Sequence, residues 1–165
     1  MAVEIRPARD GDVQAVQVVA RWAWHAAHAP IIGSEMVADF LAEHYDIDSI
    51  RDRVVNDDAI FPVAVADREL DGFALAGPTD ADDGAFSLSQ LYVAPDRWGE
   101  GIGGQLLDRV VGQVEAAGGT RIELAVMAKN ERAVGFYESA GFQRTEAFHD
   151  DRIDADAYNY ARHLD

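Results

Sequence analysis

The spacing of hydrophobic and polar positions changes several times along the chain, and each change marks an element. Residues 3–6 alternate and stop at Pro7, the pattern of a short strand. Asp10 and Asp12 then precede apolar residues at 13, 16, 19, 20 and 23, a helical rhythm opened by a cap-type acid. A second helix is predicted over 34–44 and a short third over 49–55, with Pro30 and Gly33 marking the break between the first two. Strand patterns return at 61–66 and 70–76, joined by a tight turn at 67–69.

After a polar loop at 79–84, residues 86–93 read as a longer strand. Residues 102–117 form a helix that ends at Gly118 and Gly119, and 120–127 is a strand rich in β-branched residues. A short helix over 131–140 is closed by Gly141, and 142–164 supplies two final strands around a loop at 150–156. This order predicts one mixed α/β domain over residues 1–165, with its clearest crossover at 86–127 and no internal repeat.

The junction from Leu91 to Leu107 carries the most chemistry. An apolar strand runs into Gly99, Gly101, Gly103 and Gly104, and a helix follows. Successive backbone N–H groups at the start of a helix cradle an anion such as phosphate without a lysine. Taken literally, the glycines satisfy a dinucleotide fingerprint, with Glu123 about 20 residues on. That reading fails on three counts. Residues 94–98 separate the glycines from their strand, Glu123 lies inside a strand, and the chain after the loop is too short for a second nucleotide-binding half. No Lys follows the glycines either, so the loop is not a P-loop.

Charge narrows the partners. The chain holds 30 acidic and 14 basic residues, a net charge of −16, with Lys129 the only lysine. This balance opposes nucleic acid and anionic membranes as partners. The acids are scattered in pairs such as Asp57-Asp58, Asp82-Asp83 and Asp150-Asp151, and this suggests a solvated acidic shell of the halophilic kind. No cysteine is present, so a disulfide, a thiolate metal site and a cysteine nucleophile are excluded, and a reducing, cytoplasmic setting is expected. No leader pattern opens the chain, and no apolar run approaches the ~18 residues of a membrane span.

The glycine junction resembles the acetyl-coenzyme A motif of the GCN5-related N-acetyltransferase (GNAT) superfamily, Q/R-x-x-G-x-G/A. Gly101 and Gly103 take its small positions, and Trp98 stands where Gln or Arg is usual. A second stretch, from Leu124 to Phe142, is similar to the family's strand followed by Asn130-x-x-Ala133 and Phe136-Tyr137-x-x-x-Gly141-Phe142. The resemblance implies a central, mostly antiparallel twisted sheet splayed between its fourth and fifth strands, with helices on both faces. It further implies a bulge in strand 86–93 and a slot for the pantetheine arm.

In that slot the backbone N–H of Leu91 would face the acetyl carbonyl, and Tyr92 and Val93 would run beside pantetheine like an added strand. Trp98, Gly99, Gly101, Ile102, Gly103 and Gly104 would hold the pyrophosphate, with Asn130 and Phe136 near the coenzyme. Phe142 reads as core. Tyr137 would give the proton to sulfur. The family often places a glutamate base where this chain has Ser87 and Ala125. Glu123, on Ala125's face, is the candidate base; water ordered by Ser87, Ser89 or Gln90, or an amine that arrives neutral, are the alternatives.

The acceptor side directs attention to Trp22, Trp24, His25, His28, Tyr45 and Ser87. His25 and His28 lack a third ligand, so no metal is expected. The expected activity is direct transfer of an acetyl group from acetyl-coenzyme A to a primary amine, on a small molecule or a protein N-terminus. The alternative is a non-catalytic acyl-coenzyme A sensor. A homodimer is left open.

Overall fold

A computed structural model describes residues 2–81 and 83–164. Met1, Asp165 and Asp82, in the expected loop at 79–84, lie outside the described residues. The elements are β1 (Glu4–Pro7), α1 (Val13–Ile32), α2 (Ser34–His44), α3 (Ile47–Val55), β2 (Pro62–Ala66), β3 (Glu69–Pro78), β4 (Ala85–Val93), α4 (Ile102–Ala116), β5 (Arg121–Met127), α5 (Glu131–Ser139), β6 (Gln143–Asp150) and β7 (Ala155–His163).

Three local features differ from the sequence expectation. Pro30 does not end the first helix, which runs to Ile32. The N–H that Pro30 lacks would have donated to the Ala26 carbonyl, so the helix forgoes one bond near its end; Gly33, at φ 90°, makes the break. Asp12 does not cap α1 with its side chain. Its carboxylate instead takes two hydrogen bonds from the Arg6 guanidinium, at 2.7 and 3.0 Å, and one from the Arg9 N–H, which ties β1 to the first helix. Asp46 starts α3 earlier than expected by accepting the Ser49 N–H at 3.2 Å.

The sheet order is β1-β2-β3-β4-β5-β7-β6, and every neighbouring pair is antiparallel except β4 with β5. Those two strands pair only at Ala85 with Arg121, Phe86 with Ile122 and Ser87 with Glu123. Beyond Ser87 they separate. On its other edge β4 stays paired with β3 through a register shift: Leu75 faces Gln90 and Ala76 faces Leu88, which leaves Ser89 as the extra residue of a bulge.

Alternation along β3 divides the core. Phe73 and Leu75 pack with Val13, Val16, Trp24, Val37, Leu41 and Ile50 of α1–α3, whereas Ala74 and Ala76 pack with Leu106, Val110 and Val114 of α4. Helices therefore cover both faces. Phe142 is buried in the second cluster, beside Ile122 and Tyr160.

The turn from α4 into β5 depends on a missing side chain. A Cβ at Gly119 would collide with Val114 and lie 2.7 and 2.8 Å from the ring of Phe86. Gly119→Ala should therefore destabilise the fold by about 1–3 kcal/mol, the usual cost of overpacking. Urea unfolding would check this, and an unchanged midpoint would mean that the turn repacks freely.

Candidate active site

The separation of β4 from β5 opens a cavity of about 1040 Å³, bounded by the β4 edge, the glycine loop, α5 and the inner faces of α1–α3. Backbone direction along β4 follows from one bond. Ala94 donates its N–H to Asp71 at 2.8 Å, toward the β3 side. By alternation, the N–H and C=O groups of Leu91 and Val93 then point to the opposite edge, the one β5 has left. A strand edge that β5 has left thus lines the slot, with only the Val93 carbonyl, among the described residues, taken by a side chain.

At the end of β4, Trp98 closes the junction. Its Nε1–H donates to the Val93 carbonyl at 2.9 Å, and the Arg132 guanidinium lies 4.2 Å from its ring centroid. The departure from Gln or Arg at this position thereby acquires a physical role: the indole pins the loop to the strand. Gly99 and Gly101 follow with φ of 84° and 86°, conformations that favour glycine.

The loop suits an anion. The first hydrogen bond of α4 runs from the Gln105 N–H to the Gly101 carbonyl at 3.2 Å. The N–H groups of Ile102, Gly103 and Gly104 therefore have no carbonyl one turn behind them. A Cβ at Gly99, Gly101 or Gly104 would meet nothing within 4 Å, and one at Gly103 would touch only the Phe136 ring, at 3.5 Å, and Val93. Open space thus surrounds a turn whose three N–H groups lack helical partners, an arrangement that fits a pyrophosphate.

Asn130 caps α5 by accepting the Ala133 N–H at 3.3 Å, and it also lines the cavity. Tyr137 sits between Phe136 and Phe142 in edge-to-face contacts, with centroids 5.1 and 5.6 Å away. Burial pushes its phenol well above the usual range, so it keeps its proton at neutral pH. Tyr92 is raised in the same way, first by burial and then by Tyr45 and Tyr137.

The residues expected on the acceptor side divide by helix face. Trp24 and His28, at i and i+4 on α1, face the cavity with Tyr45 and Ser87. Trp22, 46% exposed, and His25 do not line it. Trp24 stacks on Phe40 at 4.5 Å and donates its indole N–H to the Tyr45 hydroxyl at 3.2 Å. Glu123 also lies outside this cavity; its carboxylate takes two hydrogen bonds from Arg121, at 2.8 and 2.9 Å, in a smaller neighbouring pocket.

Phe40, His44, Arg53, Arg97 and Arg132 line the cavity and were not singled out from the sequence. Arg132 had a signal, since it falls between Asn130 and Ala133. The others arrive from α2, α3 and the loop after β4, and only packing brings them there. Asp150 is the one acidic side chain of the lining among the described residues, and Arg152 holds both of its oxygens, at 2.8 and 3.1 Å.

His28 is 5% exposed; its Nε2 lies 3.4 Å from the Tyr92 hydroxyl and its Nδ1 is buried without a partner among the described residues. Burial lowers its pKa from 6.5 to about 4. The unfolded chain therefore binds this proton at a higher pH than the folded one does, and the stability held in neutral His28 is complete above about pH 6.5 and lost as pH falls to 4. The loss is on the order of 3 kcal/mol. Urea midpoints measured across this window should fall with pH in the native protein and fall less steeply in His28→Gln, where only the paired carboxylates such as Asp12 still contribute; an identical slope in both would assign the effect elsewhere.

The Acetyltransferase (GNAT) family model matches residues 20–142. An uncharacterised N-acetyltransferase of Mycobacterium bovis, and its counterpart in Mycobacterium tuberculosis, are 26% identical over 132 residues, covering 80% of this chain and 83% of theirs. Among solved structures, the PaiA N-acetyltransferase of Thermoplasma acidophilum in complex with coenzyme A superposes with a TM-score of 0.87 at 24% identity, covering 99% of this chain and 100% of that one. An acetyltransferase of Thermus thermophilus superposes with a TM-score of 0.73 at 20% identity, covering 99% and 98%. No helix among the described residues is long and apolar enough to cross a membrane, and no group of three or more His, Cys, Asp or Glu side chains among them is placed to hold a metal ion.

Proposed function

The chain belongs to the acetyltransferase (GNAT) family, and from that membership we propose that it moves an acetyl group from acetyl-coenzyme A directly to a primary amine. The observation that carries this reading is one continuous cavity that joins an amide cradle, the strand edge that β5 has left and the Tyr137 side chain. The coenzyme A complex of the Thermoplasma relative supports the choice of cosubstrate.

When bound, the coenzyme supplies an acetyl thioester. The C–S bond breaks, a C–N bond forms, the amine gives up one proton and the thiolate takes one up. The N–H groups of residues 102–104 hold the pyrophosphate, with Arg132 beside them. The outward N–H of Leu91 polarises the acetyl carbonyl, and that of Val93 aligns the pantetheine arm. Tyr137, still protonated, donates to the leaving sulfur. The only acid of the lining among the described residues is bound to Arg152, and Glu123 is bound to Arg121, so the amine is taken to react in its neutral form after losing its proton to water. The scattered acids form a solvated shell suited to high salt, and the setting is the cytoplasm.

The test is free-thiol release from acetyl-coenzyme A in molar salt, with a panel of small amines and of peptides with free N-termini. At least one class should raise release well above hydrolysis. Tight coenzyme binding with no amine-dependent release would instead assign the chain as an acyl-coenzyme A sensor.

A further inference from the structure

Among the described residues, Arg53 is the one cation of the cavity that the coenzyme and the protein's own acids leave unexplained. Arg97 is paired with Asp71 and Glu100, Arg152 with Asp150, and Arg132 lies over Trp98 beside the glycine loop. Arg53 reaches the cavity from α3, in the part walled by α1 and α2, with its guanidinium carbon 5.8 Å from the centroid of the Tyr45 ring. Its Nη1 is buried and has no hydrogen-bond partner among the described residues. Asp46, the acid whose carboxylate feels its charge, is engaged by the Ser49 N–H and hydroxyl.

A half-buried guanidinium with an unsatisfied nitrogen is costly, and in a chain with 30 acidic residues a partner was readily available. Arg53 also lines the cavity, and a ligand with a planar oxyanion there matches the fork of a guanidinium's N–H donors. The walls beside it are the stacked rings of Trp24 and Phe40 and the ring of Tyr45, so the space between is apolar. Resting on the acetyl-transfer reading, we propose that the acceptor is a primary amine that also carries a carboxylate. Arg53 binds the carboxylate, and the apolar body of the acceptor lies against Trp24, Phe40 and Tyr45. Arg53 sets specificity and takes no part in the bond-making step.

Matched acids and amides test this, for example L-phenylalanine with L-phenylalaninamide and 4-aminobutyrate with its amide. The acids should be preferred by about 10- to 100-fold in kcat/KM, the worth of a charge-assisted contact. This preference runs against intrinsic reactivity, because an α-amide makes its neighbouring amine easier to deprotonate. Arg53→Gln should abolish the preference while leaving the amides' kcat/KM within about twofold, and Arg53→Lys should restore part of it. Equal use of acids and amides by the native protein would overturn the proposal, as would an Arg53→Gln variant that loses both alike, the signature of a prop for Tyr45.

Calorimetric binding of the same pairs to the coenzyme A-loaded protein separates the two readings. Selective binding of acids without any thiol release would refute transfer and support the carboxylate site. Transfer without discrimination would refute the site alone, and the lack of both would sink both.

Discussion

Tyr137→Phe should lower kcat by about 100-fold while leaving coenzyme A affinity unchanged. The figure is the lower end of the range for a positioned general acid, because a thiolate is already a fair leaving group at neutral pH. The substitution is clean. The Tyr137 hydroxyl has no protein partner among the described residues, whereas its ring is held by Phe136 and Phe142. Phe keeps the ring and should keep the melting temperature. Its raised pKa has a second consequence: no loss of rate from ionisation of this phenol should appear in the alkaline limb up to about pH 10, where an ordinary tyrosine would begin to titrate. Single-turnover thiol release, with coenzyme affinity measured separately, decides the matter, and an unchanged rate would remove Tyr137 from the acid role.

Two alanines on one helix should move coenzyme affinity and stability differently. Gly104 and Gly112 both lie in α4, and a Cβ at either would meet nothing within 4 Å. Each replacement should stabilise the fold by about 0.5–1 kcal/mol, by restricting the unfolded chain. Only Gly104 lines the cavity. A methyl there displaces the pyrophosphate from an N–H contact, so Gly104→Ala should weaken coenzyme A by about 10- to 100-fold, and Gly112→Ala should leave it unaltered. A variant that melts higher yet binds worse cannot be explained by damage to the fold. Full affinity in Gly104→Ala would rule out the cradle as the pyrophosphate site.

The side of the cavity proposed for the coenzyme was more legible in the sequence than the side proposed for the acceptor, and chain distance is the reason. The glycine loop and the Asn130 to Phe142 stretch are each continuous, so their residues arrive in the slot together on one junction and one short helix. The acceptor side is assembled from α1, α2, α3 and β4. Reading α1 by residue type alone brought Trp22 and Trp24, His25 and His28 forward equally; helix rotation turns only Trp24 and His28 into the cavity. Glu123 lies on the same strand face as Ala125, as alternation requires. What engages its carboxylate is Arg121, two residues earlier on that face and drawn to it by charge.

The sequence by itself determined the order and kind of nearly every element, because hydrophobic period, caps and turn residues act within a few positions of one another. It also determined the amide cradle, since glycines running into the first turn of a helix leave backbone N–H groups there without a helical partner. Tertiary structure decided the rest. Register between β4 and β5 stops at Ser87 and Glu123, and the slot exists only because pairing ends there. The packing of α3 beside Tyr45 leaves the Arg53 Nη1 without a partner, and the fold of the loop carries Trp98 back to the Val93 carbonyl. Both depend on groups that are distant in sequence or turned by the backbone, and no local pattern encodes where such groups meet.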